Sequence, residues 1–258
     1  MNELYGMNEI VVASSLDGSH EPSLYYRASG TFPRPLLVGL HTWSADRFNQ
    51  IRHMLPYAQK YNWHLVLPEF RGPNITSNPR CREACGSRLA KQDIVDVTNY
   101  LIENENIDYK NIFITGASGG GHMALLMAAY APDLWRAAAS FVPVTDLIKW
   151  HSEMKNYGDG KYSADIEACC GGPPSESTFN EYHYRSPINW IDEISKCNVT
   201  IFTGKYDRQI LPTHTMELYN RILSKHLDSK TFLCIFDGEH EQRMDYAVEW
   251  FIFDMGKT

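Results

Sequence analysis

Residues 111–132, NIFITGASGGGHMALLMAAYAP, constrain this chain more than any other stretch. They open with the β-branched and aromatic run Ile112-Phe113-Ile114-Thr115 and close with a helix-forming run over residues 123–129. Between them lies Gly116-Ala117-Ser118-Gly119-Gly120, a G-x-S-x-G. Strand, tight turn and helix are the context that makes this pattern a nucleophile elbow. The serine sits on a strained turn, so the residues two before and two after it must let strand and helix pass closely. Gly116 and Gly120 meet that need. The plainer alternative is a glycine-rich turn with an incidental serine, and partners for Ser118 elsewhere in the chain decide between the two.

The rest of the chain alternates strands and helices. Ile10–Ala13 and Leu24–Arg27 flank the turn dipeptide Asp17-Gly18 and read as antiparallel strands. Pro35-Leu36-Leu37-Val38-Gly39-Leu40 is a continuous apolar run of the kind buried on both faces of a parallel sheet. After it, Ser44 is placed to cap a helix with Phe48, Ile51, Leu55 and Ala58 on one face, which Pro56 kinks or shortens. His64-Leu65-Val66-Leu67-Pro68 is a strand. A long loop over residues 69–86 follows, then a helix from Ser87 to Glu103 with Ala90, Ile94, Val97 and Leu101 inward. Beyond the elbow come a strand at 137–142, a strand at 199–203, a helix at 213–227 with Met216, Tyr219 and Leu223 inward, a strand at 232–236, and a closing helix at 241–255. Between 146 and 196 the periodicity lapses in an aromatic-rich segment containing Trp150, Tyr157, Tyr162, Phe179, Tyr182, Tyr184 and Trp190, expected to form a lid-like insertion. The expectation is one α/β domain over residues 1–258. Its mostly parallel central sheet has about eight strands, is antiparallel at the N-terminal edge, and carries helices on both faces.

With 258 residues, 43% of them hydrophobic, the chain can build one sizeable core. Its net charge is −7 and its basic residues do not cluster, which argues against a nucleic-acid partner. No stretch approaches ~20 uninterrupted apolar residues, so no spanning helix or membrane partner is expected. The N-terminus lacks a basic start followed by an apolar block, so the expected compartment is cytoplasmic; a removed leader would make it secreted or periplasmic. Cys197 and Cys234 fall at or within strands and read as core thiols. Cys81, Cys85, Cys169 and Cys170 lie in two inserts without the second ligand pair a zinc site needs; in an exported protein they could form a loop disulfide.

A serine hydroxyl needs a base within reach and an acid to orient that base. Sites in such sheets lie beyond the carboxyl ends of the strands. Asp207 follows the strand that ends in Thr203-Gly204, and His240 follows the next strand through Asp237-Gly238-Glu239. Asp207 and His240 therefore fall at the same sheet edge as Ser118, in the order serine, acid, histidine. Taken singly, Asp207 reads equally as a turn or cap residue and His240 as a surface histidine. Asp237 and Glu239 are rival acids too close in sequence to His240. His122 and His214 are expected to be structural. Two oxyanion donors are needed: the backbone N–H of Gly119, and an N–H from the loop after residue 40, Trp43 with Thr42 as the alternative. Candidate substrate contacts are Trp43, Arg71, Trp150, Tyr184 and Arg208, with Asn74 beside them.

With these residues in place the chain resembles the α/β-hydrolase superfamily over nearly its whole length. Within it, the chain resembles the catalytic domain of the prolyl oligopeptidase family and related esterases. The closer resemblance rests on the 116–120 elbow, Tyr184-Arg185-Ser186-Pro187, Gly204-x-x-Asp207, Gly238-x-His240 and Arg71-Gly72. Relatives usually carry His-Gly at the oxyanion loop, where this chain has His41-Thr42. Only about thirty residues precede the first parallel strand, so the β-propeller of many family peptidases is not expected here. The resemblance implies an acyl-enzyme mechanism that needs no metal or cofactor. The expected substrate is a carboxylic ester of a sugar or other small polar alcohol. The alternatives are an aminopeptidase or dipeptidyl-peptidase, with Glu69, Glu153 and Glu167 as candidate amine anchors for a short peptide, and a non-catalytic binding protein on the same fold. The complete triad argues against the last. The oligomeric state is left open.

Overall fold

The structure, a computed structural model, describes residues 6–158 and 160–256. An antiparallel hairpin, β1 (Asn8–Ala13) and β2 (His20–Tyr26), pairs through β2 with β4 (His64–Pro68). From β4 the sheet runs parallel through β3 (Arg34–Leu40), β5 (Ile107–Ala117), β6 (Ala137–Phe141), β7 (Val199–Gly204) and β8 (Thr231–Phe236). The spatial order is β1-β2-β4-β3-β5-β6-β7-β8. Among the described residues no helix is long and apolar enough to cross a membrane.

The continuous apolar runs fill both faces because successive side chains of a strand point to opposite sides. Leu36, Val38 and Leu40 join one core, with α2 (Arg88–Asn104), α3 (Gly119–Tyr130) and α8 (Thr213–Lys225). Leu37, between them, joins the other, with α1 (Ile51–Tyr61) and α9 (Met244–Met255). Ser87 caps α2, its side chain accepting from the Ala90 N–H at 3.1 Å, and Ala90, Ile94, Val97 and Leu101 are buried as the spacing requires.

Three expectations change. Helix α1 begins at Ile51, not after Ser44, and leaves Phe48 outside it and partly exposed. Helix α8 buries His214, Leu218 and Ile222, while Met216 is exposed. Strand β8 is the sheet edge, with Phe232 and Ile235 about half exposed and Cys234 only half buried. The segment after residue 146, where the periodicity lapses, forms short helices: α4 (Leu147–Tyr157), α5 (Lys161–Cys170), α6 (Phe179–Tyr184), a 3-10 turn at Pro187–Asn189 and α7 (Ile191–Ile194). Asp146 caps α4, accepting from the Ile148 and Lys149 N–H groups. Helices α4, α5 and α6 share a third core with Trp43, Cys85 and Ile210 at the carboxyl end of the sheet, while Ile188 and Ile194 join the core of Leu36 and Val38. All six cysteines are free thiols, and burial pushes the Cys85 thiol pKa up.

Candidate active site

The elbow is built by close backbone approach. A Cβ on Gly116 would lie 2.6 Å from the backbone of Gly120, and one on Gly120 would lie 2.4 Å from the Leu40 oxygen. Strand β5 can therefore turn directly into α3. The turn residue, Ser118, has φ 56° and ψ −118°, a conformation that costs a non-glycine residue about 1–3 kcal/mol. The surrounding hydrogen bonds hold it there: the Ser118 N–H donates to the Phe141 oxygen at 2.9 Å, and the Ser118 oxygen accepts from His122 at 2.8 Å.

The loops after β7 and β8 are stitched together in the same way. A Cβ on Gly204 would lie 1.9 Å from the Glu239 oxygen, so only glycine lets the two loops touch. The Lys205 N–H donates to Phe236 and the Tyr206 N–H to Gly238, both at 2.9 Å. That contact sets Asp207 against His240. Oδ2 of Asp207 is 2.7 Å from Nδ1 of His240, while Oδ1 accepts from the Gln209 and Ile210 N–H groups at 2.9 and 3.0 Å. The carboxylate is a turn residue and a histidine partner at once. Asp207 is buried, while the His240 side chain keeps 17% exposure. Ser118 and His240 line one cavity of about 510 Å3, together with Trp43, Tyr162 and Gln209.

Gly119 lies against the loop after β3, where a Cβ would meet the Trp43 nitrogen at 2.5 Å. The two backbone N–H groups expected to serve an oxyanion are thus neighbours. The Thr42 N–H already donates to Asn49 Oδ1 at 3.4 Å, which leaves Trp43 as the better-placed candidate. The Trp43 ring is clamped by Trp150, edge-on at 4.8 Å, and the Trp43 carbonyl accepts from the Asn74 N–H at 2.8 Å.

Four of the five candidate substrate contacts lie elsewhere. Arg71 is buried and binds Asp93, Asp17, Glu83 and Ser14, too fully engaged to reach a ligand. Tyr184 faces Lys91, away from the cavity, because α6 turns it toward α2. Trp150 is buried behind Trp43 and donates its indole N–H to the Gln209 oxygen at 3.0 Å. Arg208 is exposed and does not border the cavity, pointing off the turn that Asp207 closes. Asn74 is likewise buried, its Oδ1 accepting from the Cys85 N–H at 2.7 Å. The three proposed amine anchors are also committed: Glu69 to Arg47, Glu153 to His214 and Glu167 to His151. The structure instead adds Asn49, Gln50, Gln209 and Gln242 to the cavity wall, with Glu241 and Tyr162. Gln209, two residues after Asp207, and Glu241 and Gln242, directly after His240, carried a positional signal. Among the described residues no cluster of three His, Cys, Asp or Glu side chains is arranged to hold a metal ion.

Residues 83–250, more than half of the chain, match the prolyl oligopeptidase family. The chain belongs to that family of serine hydrolases. Acylamino-acid-releasing enzyme 1 of Oryza sativa subsp. japonica is 25% identical over 239 residues, covering 85% of this chain and 29% of that protein. The chain thus spans under a third of that relative's length. An acylaminoacyl peptidase of Pyrococcus horikoshii superposes with TM-score 0.74 at 19% identity, over 96% of this chain and 41% of that one. The fluorophosphonate-binding serine hydrolase F of Staphylococcus aureus superposes with TM-score 0.70 at 17% identity, over 95% of this chain and 98% of that one. These two likenesses show the α/β-hydrolase fold.

Proposed function

We propose that the protein hydrolyses an acyl bond through a covalent acyl-enzyme on Ser118. The observation that carries this reading is the Asp207–His240 pair, 2.7 Å apart, on the cavity into which the strained Ser118 turn opens. His240 takes the hydroxyl proton as Ser118 attacks the carbonyl carbon, and returns it to the leaving group. Asp207 holds the imidazole in the working tautomer and stabilises its charged form. The serine–histidine hydrogen bond of such sites tightens as substrate binds. The N–H groups of Gly119 and Trp43 receive the oxyanion. Water then repeats the cycle on the acyl-enzyme.

The cavity wall favours a neutral, polar substrate. Asn49, Gln50, Gln209 and Gln242 place side-chain amides on it, and among the described residues Glu241 is the one carboxylate there. Recognition of a free amino terminus calls for carboxylates, and Glu69, Glu153 and Glu167 are already paired. The leading substrate is therefore a carboxylic ester of a small polar alcohol. Beyond Asn49 the cavity adjoins a groove of about 710 Å3 lined by Phe48, Ile51, Leu55 and Pro56, which would take an apolar extension of the acyl group. The second reading, release of an N-acylated amino acid from a short peptide, is favoured by the name of the rice relative and also avoids a free amine.

A panel of nitrophenyl esters, N-acyl-aminoacyl nitroanilides and free aminoacyl nitroanilides, each run beside Ser118→Ala, tests these readings. Ester turnover abolished in the variant supports the first, and turnover confined to the acylated anilides supports the second. Preference for free aminoacyl anilides would overturn both substrate assignments, and activity surviving Ser118→Ala would overturn the mechanism.

A further inference from the structure

Helix α2 carries Lys91 into the protein against the C-terminal half of α3, away from the Ser118 cavity at the N-terminus of that helix. Lysines are almost never fully buried unless paired. Lys91 is 2% exposed, and among the described residues its ammonium makes neither an ion pair nor a hydrogen bond. Three aromatic rings face it instead. Nζ lies 3.6 Å from the Tyr184 ring centroid, 5.2 Å from Tyr130 and 5.9 Å from Trp190. The same rings, with Glu193, line a cavity of about 130 Å3 that Lys91 also borders.

The ring faces favour the charged amine, and burial opposes it. Burial first, and then the Arg185 charge nearby, bring the Lys91 pKa down to about 7. The other titratable groups around it leave that balance standing. Tyr130 spends its hydroxyl on Gln92 Oε1 at 2.8 Å, and the Tyr184 phenol is pushed up by burial. His122, behind Lys91, is held neutral by burial. Glu193 borders the cavity without pairing to the ammonium. A desolvated lysine beside a second cation is the arrangement that turns an ammonium into a nucleophilic amine. Simple packing of a lysine stem beneath three rings accounts for the burial, but not for the cavity that the residue borders.

We propose that this cavity is a covalent binding site for a small aldehyde or ketone, held as an imine on Lys91. The free amine attacks the carbonyl carbon, forming the C–N bond while the oxygen takes up the proton that nitrogen loses. The carbinolamine then loses its hydroxyl and the remaining N–H proton together as water, and the C=N bond closes. The step is reversible and consumes no oxidant or reductant.

The test is to treat the full chain with propanal and cyanoborohydride at pH 7 and map the propylated lysines by peptide mass. An ordinary lysine is free base in fewer than about one molecule in a thousand at that pH. Lys91 is expected to be propylated at least about tenfold faster than the exposed Lys110, Lys155 and Lys230. Its rate should rise through pH 7 and level off above pH 8. Ser118→Ala should label identically, which separates this site from the proposed hydrolytic one. Labelling of the exposed lysines ahead of Lys91, or a Lys91 rate that keeps climbing to pH 10, would overturn the proposal.

Discussion

Asp207 divides its two oxygens between two tasks, and that division makes it testable. Asparagine at 207 can keep its Oδ1 on the Gln209 and Ile210 N–H groups, so the turn survives. It must then present an NH2 group to His240 Nδ1, which makes that nitrogen an acceptor and leaves the proton on Nε2. A histidine in that tautomer cannot accept the serine proton. Asp207→Asn should therefore lower kcat about 10⁴-fold with little change in Tm. Steady-state kinetics and a thermal melt check this, and a loss below tenfold would remove Asp207 from the mechanism. His122 gives a second prediction, on stability. It is fully buried, with Nε2 2.6 Å from the Arg185 oxygen, and burial pushes its pKa down to about 4. The folded value lies below the unfolded one of about 6.5, so protonation favours the unfolded chain. The stabilisation linked to neutral His122 is complete above about pH 6.5 and is lost as pH falls toward 4, a change of about 3 kcal/mol. Urea melts across that range should show a shallower decline for His122→Gln than for the native chain. Equal slopes would contradict the assignment.

At the level of elements, Arg71 shows how a loop is fastened. Its guanidinium joins the β1–β2 turn through Asp17, the 69–86 loop through Glu83, and α2 through Asp93, whose side chain is 1% exposed. Removing the arginine strands that carboxylate in the interior. Arg71→Ala is expected to cost about 3–5 kcal/mol of unfolding free energy while leaving kcat per folded molecule within about twofold. The Arg71 hydrogen bond also holds the Asp17 carboxyl well below the usual carboxylate range. That share of the stability is present above about pH 4 and fades in stronger acid, as the sign of a depressed carboxylate requires. Denaturant titration beside single-turnover kinetics separates the two effects, and lost activity in a stable variant would return Arg71 to the substrate. The dipeptide Arg71-Gly72 was visible in the sequence, but its role was not. Asp17 and Asp93 lie far from it along the chain, and no local pattern reports a contact between turn, loop and helix. The same limit explains α1 and α8. Apolar spacing placed both helices, while Phe48 and Met216 fit the spacing yet lie outside the packed face, which only the sheet beneath decides.

Across the molecule, sequence legibility followed backbone constraint. The parallel strands, the elbow, and the Gly204 and Gly238 turns were readable because glycine and continuous apolar runs leave few alternatives. Those turns put Asp207 and His240 where the order along the chain required. Beyond Gln209, Glu241 and Gln242 the cavity wall was not readable, because Tyr162 and Asn49 come from a separate helix and loop and share no motif. Nor was the helical nature of residues 147–194, whose short helices owe their burial to the third core and, at Ile188 and Ile194, to the core that holds Leu36 and Val38, not to a long amphipathic stripe. The third core joins helices α4–α6 to the candidate site, and one side chain in it reaches both halves. Trp150 packs edge-on against Trp43, the candidate oxyanion donor, and its indole N–H binds the Gln209 oxygen in the turn that Asp207 closes. It touches neither the cavity nor any reacting atom, so it acts as a positioning residue. Trp150→Phe keeps a ring in the core and removes the bond to the acid loop. Small displacements of catalytic groups cost up to about 10²-fold in rate. The variant should therefore lose about ten- to a hundredfold in kcat with KM within about threefold, and its Tm should fall by only a few degrees. If Trp150 served packing alone, Tm would drop while kcat per folded molecule stayed at the native value, and the inserted helices would be a cover over the site with no part in aligning it.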